Sequence, residues 1–206
     1  MISSILFAAG LISPAAAFWR MPCPSRLIEE RIDPIIAPGA VSAHTHVVAG
    51  GSGFGYTMDY NQARAAPCSS CPITADLSNY WTPKLYYQAQ NGSFISVPLS
   101  GDGTGNEGGM TVYYLQRPGP DNDELKAFPE GFRMIAGNPF QRNYTGDFAA
   151  QAISFACLDY NAPAKPETNE MPNYNCPDGL RAQVFFPSCW DGVNLDSPDR
   201  KSYSSR

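Results

Sequence analysis

Glycine and proline interrupt this chain at short intervals, 18 and 19 of them in 206 residues, and that spacing restricts the fold more than any other feature. Proline removes a backbone donor and stops a helix, while glycine supplies turn conformations that other residues avoid. Asp33-Pro34 and Ala37-Pro38-Gly39 bracket Ile35 and Ile36, so no helix runs there. No segment keeps a helical period, and the apolar residues fall in short runs. The expected fold is mainly β, an antiparallel sandwich or jelly-roll-like domain with long Gly/Pro-rich loops and disulfides. An all-α bundle is excluded. With 43% hydrophobic and 16% charged residues the chain is also neither a disordered acidic tail nor a coiled coil.

The expected strands are Val41 to Val48, Leu85 to Gln90, Ser93 to Val97, Met110 to Gln116, Phe132 to Ala136, Ala152 to Leu158 and Leu180 to Phe186. Asn91-Gly92 between the second and third of these is the strongest hairpin signal, because an Asn-Gly pair accepts the positive φ angles of a type I′ turn. Arg26 to Asp33 fits a helical turn or an extended run equally well. There is no internal repeat and no linker, so residues 18–206 are expected to form one domain.

Ile2 to Ala17 is apolar, and the first charged side chain is Arg20. Small residues at Ala15 and Ala17 satisfy the small-x-small rule for signal cleavage, which predicts a leader over 1–17 and a mature start at Phe18. The stretch holds Gly10 and Pro14 and falls short of the roughly 20 residues of a membrane span. No later segment is apolar enough to cross a bilayer. All six cysteines, Cys23, Cys68, Cys71, Cys157, Cys176 and Cys189, follow the cleavage site, so each is a disulfide candidate in an oxidising lumen. Six cysteines allow 15 pairings, and spacing does not choose among them. Cys68-Ser-Ser-Cys71 lacks the second CxxC or the histidines of a zinc site. Asn91-Gly-Ser93 and Asn143-Tyr-Thr145 are sequons, expected to carry sugar on surface loops. The expected location is secreted, extracellular or cell-wall associated.

Fourteen basic against nineteen acidic residues leave a net charge of −5, which excludes the basic footprint of a nucleic-acid binder. His44 and His46 are the only histidines. Two residues apart in an expected strand, they would share a face and reach one ion or one substrate group. Glycines 50, 51 and 53 are expected to leave room for a ligand. As metal ligands the pair would take a divalent ion, with a third donor from a carboxylate such as Asp59 or Glu107, or from a cysteine that escaped oxidation. The alternative is two histidines that are hydrogen-bonded within a loop or face solvent. Asp59, Asp102, Glu107, Asp191 and Asp196 could supply acid/base chemistry on a sugar, or be solvated loop carboxylates. Tyr80, Trp81, Tyr86, Tyr87 and Trp190 could stack on sugar rings, or fill a core. The candidate site is His44, His46, Asp59, Trp81 and Asp191. No GxSxG, Walker or HExxH pattern is present.

Several segments carry a resemblance. Arg31-Ile32-Asp33-Pro34 through Pro38-Gly39, Ser42-Ala43-His44-Thr45-His46 with Gly50-Gly51-Ser52, Asp76 through Tyr86, Gly131 through Gly137, and Phe186-Pro187-Ser188-Cys189-Trp190-Asp191-Gly192 together resemble the fungal secreted family of unknown function DUF1996. The resemblance implies secretion and a place at the cell surface, and it brings no assigned reaction. After Asp196-Ser197-Pro198-Asp199 the family continues into a histidine-containing stretch and a further cysteine, whereas this chain ends at Arg206. The resemblance therefore implies a chain shortened at its C-terminus, without the histidine that would join His44 and His46, and with Cys189 lacking its partner. Two functions follow as expectations. One is an enzyme acting on wall glycans through a histidine-containing polar cleft, and the other is a non-catalytic surface protein that binds carbohydrate or metal.

Overall fold

The computed structural model describes residues 18–99, 108–118 and 124–198. The expected leader, Asp102 and Glu107 lie outside the described residues. The strands are β1 (Trp19–Pro22), β2 (Ile28–Glu30), β3 (His46–Gly50), β4 (Asn79–Pro83), β5 (Tyr86–Gln88), β6 (Phe94–Ser96), β7 (Thr111–Tyr114), β8 (Ile153–Cys157) and β9 (Leu180–Val184). Two short helices, α1 (Tyr60–Arg64) and α2 (Phe148–Gln151), complete the described elements. The fold is mainly β, as expected, and its ladders are all antiparallel: β1–β7, β2–β3–β4, β5–β6 and β8–β9. The chain divides into two compact units, residues 1–127 and 128–206.

In the first unit the centre is β3, whose five residues are all buried. Its side chains alternate between two faces. Ala49, opposite Tyr80 of β4, lies on one face and belongs to a core with Met21, Cys23 and Cys71, against which Trp19, Tyr80, Met110 and Val112 pack. The β1–β7 pair thus lays its Trp19, Met21 and Val112 side over the Ala49–Tyr80 side of the central sheet, a small face-to-face packing that buries apolar surface at about 25 cal/mol per Å². The Cys23–Cys71 disulfide joins the end of β1 to the segment that runs beside Gly50, where Ser70 N donates to Gly50 O at 2.9 Å.

Of the two alternatives open for Arg26 to Asp33, the extended one forms β2, and β1 and β4 had no counterpart among the expected strands. Trp19–Pro22 reads as turn-rich, yet it forms β1 because β7, some ninety positions on, supplies its partner. Asn79–Pro83 forms β4 through the same kind of distant pairing, with Trp81 opposite Val48. The expected strand over Val41 to Val48 begins only at His46, because Ser42 is held by Arg31 through Arg31 Nε to Ser42 O at 2.8 Å and Ser42 N to Arg31 O at 3.1 Å.

The β5–β6 hairpin forms where expected, with a different turn. Gly92 N donates to Ala89 O and Ala89 N to Ser93 O, both at 2.9 Å. Gln90 and Asn91 therefore occupy the centre of the turn, and Gly92 follows at φ +83°. This is a three-residue loop with a glycine bulge rather than a two-residue type I′ turn. The register accordingly pairs Gln88 with Phe94 and Tyr87 with Ile95.

In the second unit β8 and β9 pair from Ile153–Val184 to Cys157–Leu180. The short helix α2 starts at Asp147, whose carboxylate accepts from Ala150 N at 2.9 Å. The Cys157–Cys176 disulfide closes the loop that leads from β8 back to β9. Ser154, Glu167, Arg181 and Gln183 form a polar network on this ladder, with Glu167 accepting from Ser154 Oγ at 3.0 Å, Gln183 Nε2 at 2.6 Å and Arg181 Nη2 at 2.6 Å. The expected strand at Phe132 to Ala136 pairs with no ladder. Arg133 binds Leu195 O and Asp196 instead, and Phe132 packs between Phe128 and Trp190.

Candidate functional site

The second face of the central sheet carries His46. His46 lies directly opposite Glu30 of β2, and Val48 lies opposite Trp81 of β4, so Glu30, His46, Val48 and Trp81 share one side by strand alternation. Asp33 enters this side from a single turn. Its Oδ1 accepts from Ile35 N and Ile36 N, each at 2.9 Å, and Ala37 N closes on Asp33 O at 3.0 Å. Pro34 at the first position of that turn has no donor to lose, which suits an aspartate-capped start.

His46 is 3% exposed and its ring is held at Nδ1, which lies 2.8 Å from Ile32 O. A carbonyl has no proton to give, so Nδ1 carries the hydrogen and the neutral ring keeps its lone pair on Nε2. That Nε2 stands 3.9 Å from Asp33 Oδ2. The His44 ring, half-exposed, contacts His46 with centroids 4.5 Å apart and planes tilted by 59°. The His46 pKa is lowered, first by burial and next by the adjacent His44 imidazole. The Ile32 carbonyl and the Asp33 carboxylate pull in the opposite direction. Two imidazoles in contact do not both carry charge cheaply.

The two rings touch, but not as the expected strand pair sharing a face, since His44 precedes β3 in a bend. Trp81 lies on the same side as His46, with its ring 5.2 Å from that of Phe54. Glu30 accepts from Tyr56 OH at 2.7 Å, which raises the Tyr56 pKa.

Asp59 is committed to the start of α1. Its Oδ1 accepts from Gln62 N at 2.8 Å, and Asp59 N donates to Gln62 Oε1 at 2.9 Å, a capping box. Asp191 belongs to the second unit and holds its own turn through Val193 N, Asn194 N and Asn194 Nδ2. Those bonds lower its pKa, the Val193 amide most. Among the described residues no three His, Cys, Asp or Glu side chains are grouped to hold a metal ion. Glycines 50, 51 and 53 admit the protein's own backbone and not a ligand. A Cβ there would stand 2.0 Å from Ser78 O, 2.5 Å from Leu77 O and 2.4 Å from Gln62 O respectively. Cys68 and Cys189 carry free, exposed thiols, so two of the six disulfide candidates are unpaired.

Sequence reasoning passed over Asp33 and Glu30 as site residues. The Asp-Pro step at 33–34 was the available signal, since it marks a capped turn that fixes a carboxylate. It also passed over a second polar cluster, in which Tyr80 OH donates to Asp76 Oδ2 at 2.8 Å and stands 2.6 Å from Tyr114 OH. Burial raises the pKa of both phenols, and Trp19 stacks on Tyr114 at 4.4 Å. These groups satisfy one another and tie β4 to β7.

A small antiparallel β unit clamped by a disulfide, with a paired-histidine face beside Asp33, defines a class by its scaffold and not by a reaction. The chain belongs to the domain family of unknown function DUF1996, which matches residues 33–205. Comparison with curated proteins and with solved structures gave no match. No helix among the described residues is long and apolar enough to cross a membrane, and the two disulfides fit an oxidising compartment.

Proposed function

We propose that this is a secreted, cell-surface or extracellular protein that acts on wall glycans through the face bearing His44, His46, Asp33 and Trp81. The observation that carries the reading is the fixing of the His46 ring by the Ile32 carbonyl, which aims its unprotonated nitrogen toward Asp33 while His44 lies against it. A buried imidazole held in one tautomer, with a more exposed imidazole lying against it, is a fixed support for a ring that meets a substrate. His44, the more exposed ring, is the group that touches the substrate, and His46 with Asp33 positions it. Phe54 and Trp81 supply an aromatic flank of the kind that packs on sugar rings.

A non-catalytic carbohydrate-binding role is the second reading, favoured by the burial of His46, which withdraws one of the two rings from direct contact. One experiment separates the two. Purified protein is incubated with fungal and plant wall polysaccharides beside His44→Ala and the double variant His44→Ala, His46→Ala. Product release that both variants lose supports the enzyme, and retention of polysaccharide without any product supports the binding protein.

A further inference from the structure

The β5–β6 hairpin is exposed along its whole length, with Tyr87 60%, Phe94 68% and Ile95 53% exposed. A two-stranded ribbon with apolar side chains in water is a liability for association. At its tip sits the sequon Asn91-Gly92-Ser93. The Asn91 carbonyl Oδ1 accepts from Ser93 N at 3.0 Å and from Ser93 Oγ at 2.7 Å. Both bonds use the oxygen, so the amide nitrogen Nδ2 is on the arm turned away from Ser93.

The register then decides which face this amide serves. Ser93 and Ile95 are two residues apart and share a side, and Ile95 pairs with Tyr87. Phe94, Gln88 and Tyr86 lie on the other. The Asn91 side chain, bound to the Ser93 hydroxyl, therefore leaves the tip on the Tyr87–Ile95 side.

We infer that Asn91 is an N-glycosylation site and that the first sugars of its glycan lie over Tyr87 and Ile95, covering that face of the hairpin. The inference rests on the secretory reading, because the donor is a lipid-linked oligosaccharide pyrophosphate of the lumen. In the transfer Nδ2 attacks the anomeric carbon, the N–C bond forms as the C–O bond to the pyrophosphate breaks, the lipid pyrophosphate departs with that electron pair, and the displaced amide proton passes to solvent. The C–H faces of the sugars remove apolar surface of Tyr87 and Ile95 from water, while their hydroxyls stay hydrated.

The test is secretion of the full chain from a glycosylating host as wild type, Ser93→Ala, Asn143→Gln and Tyr87→Ser, with mass spectrometry of the N-terminal and Asn91 peptides. The expected result is sugar on Asn91 that is lost in Ser93→Ala and kept in Asn143→Gln and Tyr87→Ser. Binding of an anilinonaphthalene sulfonate dye should rise in Ser93→Ala relative to wild type, and the rise should vanish when Tyr87→Ser is added. An unmodified Asn91 in secreted protein that begins at Phe18 overturns the inference and leaves secretion standing. Retained protein with Met1 intact overturns both. Glycosylated Asn91 with no change in dye binding on its loss overturns the covering of the hairpin.

Discussion

His46 and Asp33 face each other across 3.9 Å, with the imidazole tied at its other nitrogen to Ile32 and the carboxylate tied at its other oxygen to Ile35 and Ile36. Each group is held by the backbone on one side and offered to the other on the free side. Because burial and His44 outweigh Asp33, the folded protein favours neutral His46 and its pKa falls below the unfolded value of 6.5. The stability this gives is fully present above about pH 6.5 and is lost as pH falls toward the folded pKa, because the unfolded chain then takes up a proton the folded chain resists. Thermal unfolding followed from pH 7.5 down to 5 should show a declining Tm, and His46→Asn should be less stable throughout with a flatter slope. An equal slope in the variant would remove His46 as the cause.

Gly50 and Gly92 both have positive φ, +112° and +83°, yet their surroundings differ. A Cβ at Gly50 meets Ser78 O at 2.0 Å, whereas nothing lies within 4 Å of one at Gly92. Gly92→Ala should cost only the backbone strain, about 1 kcal/mol, and Gly50→Ala about 3 kcal/mol or more because β3 and β4 must part. Denaturant unfolding of the two variants checks the order, and similar losses would contradict it.

Cys23–Cys71 spans 48 residues and Cys157–Cys176 spans 19, while Cys68 and Cys189 are free. Thiol counting in denaturant without reductant should find two thiols per chain. On the chain-entropy account, losing the longer bridge costs about 4 kcal/mol and the shorter about 3 kcal/mol. Paired serine variants, Cys23 with Cys71 and Cys157 with Cys176, measure both losses by unfolding midpoints. Four or more free thiols in oxidised protein would contradict the pairing.

Lys84 has a side chain only 3% exposed, and its Nζ stands 3.2 Å from Glu29 Oε2. Glu29→Gln leaves that ammonium without its counter-charge and should cost about 1–3 kcal/mol, the usual penalty for an orphaned buried partner. Lys84→Met in the same background should recover part of the loss, since it removes the stranded charge. Failure of the double variant to recover any stability would show that the pair is not what holds β2 against the end of β4.

Local features of this protein were legible in its residues. The Asn-Gly tip, the strands at 153–157 and 180–184, and the antiparallel β character all follow from turn chemistry and short apolar runs, which act over a few residues. The i, i+2 spacing of His44 and His46 did not place them as a strand pair, because β3 begins only at His46. Even locally there was a limit: whether the turn takes two or three loop residues depends on how Ala89 and Ser93 close it, and one residue of register moves Phe94 from one face to the other.

Only the tertiary structure decided which distant pieces meet. Nothing near Trp19 announces Thr111–Tyr114 as its partner, and nothing in the cysteine spacing selects Cys23–Cys71 over Cys68–Cys71. The same holds for the carboxylate beside His46. Asp59 was a candidate by residue type alone, but a capping box with Gln62 satisfies it where it stands, and Asp33, equally distant from His46 in sequence, is the carboxylate that stands beside the histidine. Side-chain alternation and turn propensity are properties of neighbouring residues. Strand pairing, disulfide choice and the partner of a buried imidazole are contacts between segments far apart in the chain, settled by which arrangement buries the most apolar surface with its polar groups paired.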